Sequence, residues 1–147
     1  MFHVKSPAED ASREMVPGWN NSVYVTDMDP DPFMLGYAMG LLVGEGSFTA
    51  DRKQPALSLK MHERDPLPFR LLRGVLGGRV YGPYSHAERQ YFLYMLRGRE
   101  LEAALPLFDR YLPSSYRREQ YERWRATHFP HIPVPDTGHV TFPALDE

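Results

Sequence analysis

An apolar run that carries a glycine at every fourth position constrains this chain more than any other feature. In "LGYAMGLLVGEGSF", Leu35 to Phe48, the glycines Gly36, Gly40 and Gly44 repeat at the spacing of a helical turn, and the run ends on Glu45, a carboxylate between two glycines. Glycine inside a helix costs roughly 1 kcal/mol relative to alanine. Three on one stripe therefore imply that something packs backbone-close there, the chain's own sheet being the plain reading. A bilayer is excluded as that partner, because the run falls well short of the roughly 20 residues needed to span one.

Punctuation on either side of the run sets the order of elements. "DMDPDPF" places Asp31 as an N-cap and Pro32 at the first helical position, where a missing N–H costs nothing. This predicts a helix to about Leu42 or Val43. From Glu45 the period changes to alternation: "GSFTAD" and "PALSLKMHE" flank the polar turn "RKQP", and Leu57, Leu59 and Met61 alternate with Ser58, Lys60 and His62. "RDPLPFRLLRGVLGG" then reads as a second helix, opened by Asp65 with Pro66 behind it and closed at Gly77. "RVYGPY" and "QYFLYMLR" lie either side of "SHAER" as a second hairpin, although "YFLYML" is apolar at every position and its facing stays open. "RELEAALPLFDRYL" has helical spacing with Pro106 as a kink or break. "SSYRREQYERWRATHF" is a basic, aromatic helix capped by Ser114 or Ser115.

The predicted class is α+β, in the order helix, hairpin, helix, hairpin, helix, helix. Two similar hairpins form one four-stranded antiparallel sheet with the helices on one face. This domain spans residues 29–129. Residues 1–28 read as an N-terminal arm with room for one short strand at Val23 to Thr26, and residues 130–147 as an extended, proline-rich tail.

The other sheet face must be solvated or occupied. Alternation places Ser47, Thr49, Ser58, Lys60, His62, Arg79 and Tyr81 on it, a basic surface rich in hydrogen-bonding groups, with Arg52, Lys53 and Arg89 in the turns. The charge distribution agrees. The net charge is −2, yet residues 1–45 hold two basic and seven acidic residues, residues 127–147 hold none and three, and residues 46–126 hold fifteen and nine. A basic body between acidic ends suits a polyanionic partner. The sequence has no cysteine, which excludes a disulfide framework and cysteine zinc sites and suits a reducing interior. It also lacks an apolar span long enough for a membrane and the pattern of a secretory signal, so an intracellular location, cytoplasmic or nucleoid-associated, is expected.

"AMGLLVGEG", Ala38 to Gly46, resembles the nine-residue motif of the LAGLIDADG homing endonucleases, in the variant with glutamate as the final acid. The larger departures are Met39 for a small residue and Val43 for the first aspartate. The resemblance runs on to about Trp124 through "LSLKMHERD", "LGGRVYG" and "LPLFDRYLPSSYRREQYERW". It implies the fold of that family, with a saddle-shaped sheet. One motif copy implies a homodimer, with Gly36, Gly40 and Gly44 lining an isologous contact between motif helices.

The resemblance further implies a metal-dependent, site-specific double-strand DNA endonuclease acting on a long, pseudo-palindromic site, as intron-encoded or free-standing mobile elements of that family do. Glu45, with the Gly44 carbonyl, would hold Mg²⁺ or another divalent cation such as Mn²⁺, and DNA would complete the ligand shell. Arg117 and Arg118 lie where the family often has a lysine near the scissile phosphate, and an arginine there stabilises phosphoryl charge without donating a proton readily. The seven face residues would reach base edges in the major groove while Arg52, Lys53 and Arg89 contact phosphates. A non-cleaving DNA-binding regulator and an RNA-splicing maturase are the alternatives on the same scaffold.

Overall fold

The computed structural model describes residues 30–62, 67–136 and 138–141. The arm with Val23 to Thr26, and the Asp65–Pro66 cap, lie outside the described residues. The first helix, α1 (Pro32–Glu45), starts as its sequence requires: Asp31 Oδ1 accepts from the backbone N–H groups of Phe33 (2.9 Å) and Met34 (3.2 Å), with Pro32 at the first position. It runs two to three residues past the expected end. Gly46, not Gly44, terminates it, and the Gly46 N–H donates to Leu42 O. A Cβ at Gly46 would lie 2.8 Å from that same carbonyl, so the chain enters the sheet there only without a side chain.

Strand β1 (Gly46–Asp51) turns through Arg52 and Lys53 into β2 (Gln54–Met61). Both turn residues have positive φ (50° and 68°), which is the twist a two-residue hairpin needs, although neither is a residue type that favours it. Helix α2 (Leu67–Leu76) ends where Gly77 takes φ 82° and donates to Arg73 O at 2.8 Å. Strands β3 (Arg79–His86) and β4 (Arg89–Arg97) form the second hairpin, with an irregularity between Tyr81 and Tyr84 at the cis Gly82–Pro83 bond. Helix α3 (Gly98–Tyr111) follows β4 directly. It continues through Pro106, because Pro106 and the carbonyl-bearing residue one turn before it, Glu102, both lie on the exposed side. Helix α4 (Tyr116–His128) is capped by Ser115, whose hydroxyl accepts from Arg118 N.

All four strands pair antiparallel in the order β1-β2-β4-β3. Strand β4 is therefore central, which explains why its sequence is apolar at every position: both of its faces carry apolar neighbours. Phe92, Tyr94 and Leu96 join Phe48, Leu57, Leu59 and Val80 beneath the helices, where Leu42, Phe69, Leu72, Leu105 and Phe108 complete the core. The fold is thus α+β, four helices on one face of a four-stranded antiparallel sheet. No helix among the described residues is long and apolar enough to cross a membrane.

A buried charge pair ties the last two helices together. Arg125 donates through Nε and Nη2 to the two carboxylate oxygens of Asp109 (2.7 and 3.0 Å), and Tyr121 Oη donates to Asp109 Oδ1 at 2.6 Å. Both charged side chains are more than nine-tenths buried. The remaining guanidinium protons reach the carbonyls of Phe129, Ile132 and Pro133, which anchors the start of the tail. Farther along, Val140 N donates to Arg110 O and His139 Nε2 lies 2.8 Å from Leu112 O. Removing one member of a buried pair strands the other charge. Asp109→Ala is therefore expected to lower the unfolding free energy by about 3–5 kcal/mol, read from urea unfolding; a loss under about 1 kcal/mol would contradict this role.

Two buried tyrosines make the fold sensitive to alkali. Tyr94 donates to Gly77 O at 2.7 Å, and burial, with the nearby Glu100 carboxylate, pushes its hydroxyl well above the ordinary tyrosine value. Burial and the Asp109 carboxylate do the same to Tyr121. Both groups bind their protons more tightly folded than unfolded, so their contribution is complete below about pH 10 and falls as pH rises above it. The expected slope is up to about 2.7 kcal/mol per pH unit for two groups. Urea unfolding between pH 9 and 11 checks it, and Tyr94→Phe should reduce that slope by about half.

Candidate nucleic-acid interface and adjoining carboxylate

The sheet face opposite the helices is laid out by strand register. One row runs Ser47, Ser58, Met95, Arg79, and the next runs Lys60, Leu93, Tyr81. Thr49, Ala56 and Arg97 form a third row, and Tyr84 faces Tyr91 with His62 packed edge-on against Tyr91 at 5.8 Å. All seven face residues expected from alternation thus lie on this side. Arg52 and Lys53 sit in the first turn, and Arg89 is exposed at the start of β4.

The basic, hydrogen-bonding surface expected has an apolar part as well. Tyr81, Tyr84 and Tyr91 form a second apolar cluster, separate from the core, with Leu93 and Met95 packed against it. Lys60 Nζ lies 4.2 Å from the centre of the Tyr91 ring, an arrangement that attracts the cation to the ring face. His62 Nδ1 is 3.3 Å from Gln90 O. Alternation missed Tyr84, Tyr91, Leu93, Met95 and Arg97 because β3 is irregular and β4 has no alternation to read.

Glu45 stands at the junction between this sheet and the helix layer. It is exposed on the last turn of α1, one residue before β1, and makes no hydrogen bond or ion pair among the described residues. Arg117 of α4 reaches the last turn of α1, donating through Nε to Val43 O at 3.5 Å and through Nη1 to Gln120 Oε1 at 2.9 Å. The same Gln120 oxygen accepts from Phe48 N at 3.2 Å, so one amide links Arg117 to β1. Trp124 Nε1 adds a second clip, to Thr49 O at 2.8 Å.

Arg118 belongs elsewhere. Its guanidinium donates to the carbonyls of Phe108, Leu112 and Asp109 at the end of α3 and to Glu122, so it satisfies a helix C-terminus and does not face Glu45. Of the two adjacent arginines, whose facing the sequence leaves open, Arg118 is the one bonded to the end of α3. Adjacent residues on a helix diverge by about 100°, and the open carbonyls of α3 captured one of them.

No protein-family model and no curated protein matches this chain at a significant level. A Cβ built at Gly36, Gly40 or Gly44 meets nothing within 4 Å. These glycines do not pack small residues against the chain's own sheet; they face outward, with Phe33 79% and Tyr37 38% exposed on the same helix. An apolar groove of about 620 Å³ runs beside the stripe, lined by Leu35, Met39 and Val43 of α1 and by Leu107 and Tyr111 of α3.

The residues at the end of α1 suit a divalent cation bound jointly with a phosphate. A carboxylate that is free among the described residues, aided by the negative end of the α1 dipole, matches the one or two carboxylates that Mg²⁺ takes alongside waters and phosphate oxygens. Among the described residues no group of three or more histidine, aspartate or glutamate side chains converges. Such a site would hold an ion firmly only with a nucleic-acid ligand in place.

Proposed function

We propose that this protein is a site-specific, divalent-metal-dependent DNA endonuclease that works as a homodimer, on the scaffold of the LAGLIDADG homing endonucleases. One observation carries the reading: a helix with three outward-facing glycines ends in a carboxylate unpaired among the described residues, at the margin of an open sheet face edged with cations. Each part has a task in that chemistry. The stripe lets two α1 helices approach closely about a two-fold axis, which sets two Glu45 carboxylates side by side.

The sheet face then lies in the major groove, which admits a two-stranded ribbon. Ser47, Thr49, Ser58, Lys60, His62, Arg79 and Tyr81 address base edges, and Arg52, Lys53 and Arg89 address phosphates. Glu45 and the Gly44 carbonyl would hold Mg²⁺ or Mn²⁺ against the scissile phosphate. When bound, the ion supplies charge neutralisation at the phosphoryl group and activation of the attacking water. Arg117, held in place by Gln120 and Val43 O, presents fixed positive charge to the same phosphate. A guanidinium is a poor proton donor, so the proton for the leaving oxygen comes from solvent.

The test is incubation of a randomised duplex library with the full chain in Mg²⁺ and in Ca²⁺. Mg²⁺-dependent enrichment of cut ends around one pseudo-palindromic sequence is the expected result. Enrichment of bound but uncut duplex in both metals would instead identify a non-cleaving DNA-binding regulator, and selective RNA binding would identify a maturase.

A further inference from the structure

The open face has a feature that phosphate and hydrogen-bond recognition leaves unused. Its middle is apolar: Leu93 and Met95 lie half-buried on a floor made by Tyr81, Tyr84 and Tyr91, which are 3%, 6% and 9% exposed. Around this floor stand Arg79, Lys60, His62, Arg97 and Arg89, all on the same face by register. Strand register also fixes the apolar positions, since Met95 pairs with Ser58 and Arg79 while Leu93 pairs with Lys60 and Tyr81.

A ligand that fits must be anionic at its margins and apolar at its centre. In a DNA major groove the only apolar group that a base presents is the C5-methyl of thymine. RNA carries no such methyl on uracil, and its major groove is too deep and narrow for a sheet to read. The three tyrosines cluster, with the Tyr84 and Tyr91 rings 5.5 Å apart, whereas Leu93 and Met95 keep accessible surface. Methionine is unbranched and polarisable, and settles against a methyl group without demanding one exact geometry.

We propose that Leu93 and Met95 are specificity-determining residues that read thymine methyl groups, so that each half of the target site carries A·T pairs where β4 crosses the groove. This rests on the reading of the open face as a DNA interface. It adds what the polar face residues do not provide: a preference for thymine that survives when every hydrogen-bonding edge is unchanged.

The experiment uses the full-length protein in Ca²⁺ and the duplex pool recovered by binding selection from a randomised library, resynthesised in parallel with thymidine or with deoxyuridine. Uracil differs from thymine only by the methyl group. Fluorescence anisotropy should show the thymidine pool bound at least about fourfold more tightly, the value expected for burying one methyl group. Met95→Ala should lower that ratio, and a ratio left at the wild-type value in Met95→Ala and in Leu93→Ala would take methyl reading away from both residues. Equal affinity of the wild-type protein for the two pools overturns the proposal and leaves the DNA reading intact. Failure to recover any bound duplex overturns the DNA reading itself, and this inference with it.

Discussion

Glu45→Gln is expected to abolish DNA cleavage in Mg²⁺ while retaining DNA binding in Ca²⁺. The substitution is nearly isosteric, and Glu45 is exposed with no hydrogen bond or ion pair among the described residues, so the fold loses nothing. What it removes is the anionic oxygen pair that, among the described residues, stands at the end of α1. Loss of an outer-shell partner to a metal ligand already costs 10–100-fold, so loss of the ligand itself should cost at least about 100-fold in cleavage rate. Single-turnover cleavage of the selected duplex measures this directly. Retention of more than about a tenth of wild-type rate would place the metal elsewhere and overturn the assignment of Glu45. Arg117→Lys provides a contrast. It keeps the charge beside the phosphate and adds a group that titrates more easily, so cleavage should persist, with an altered pH profile.

How far the sequence reveals such a site depends on the kind of signal involved. Local chemistry was legible: Asp31 and Pro32 start α1, Ser115 caps α4, and alternation assigned the seven face residues correctly. Tertiary capture was not. Nothing in "YRRE" distinguishes Arg117 from Arg118, because the choice is made by the carbonyls at the end of α3, which accept Arg118. The Asp109–Arg125–Tyr121 cluster is equally invisible, since its members meet only when α3 packs on α4. The end of α1 was misplaced for a different reason. Gly44 and Gly46 are equivalent stop signals locally, and only the close approach of Gly46 to Leu42 O decides between them. The facing of β4 was open because a strand apolar on both sides has no period, and only pairing with β2 and β3 assigns its two faces.

The glycine stripe yields the second large effect, one in which folding and association should respond with opposite signs. Gly40 is exposed, lies mid-helix, and a Cβ there meets nothing within 4 Å, so Gly40→Ala removes the glycine penalty without a clash. The isolated chain should gain up to about 1 kcal/mol of unfolding free energy. In a dimer built on that surface the same methyl enters a close backbone contact, and an isologous interface contains it twice. Self-association should therefore weaken, and Gly40→Glu, which adds two like charges to the interface, should leave only monomer at micromolar concentration. Sedimentation equilibrium of the wild type and both variants reads association, while urea unfolding of dilute samples reads the monomer, where mass action no longer favours the folded dimer. Unchanged association in Gly40→Glu would move the two-fold axis away from α1. Loss of association with gained monomer stability would show that the glycines are kept for the partner and not for the fold, since a helix selected only for its own stability has no use for three of them.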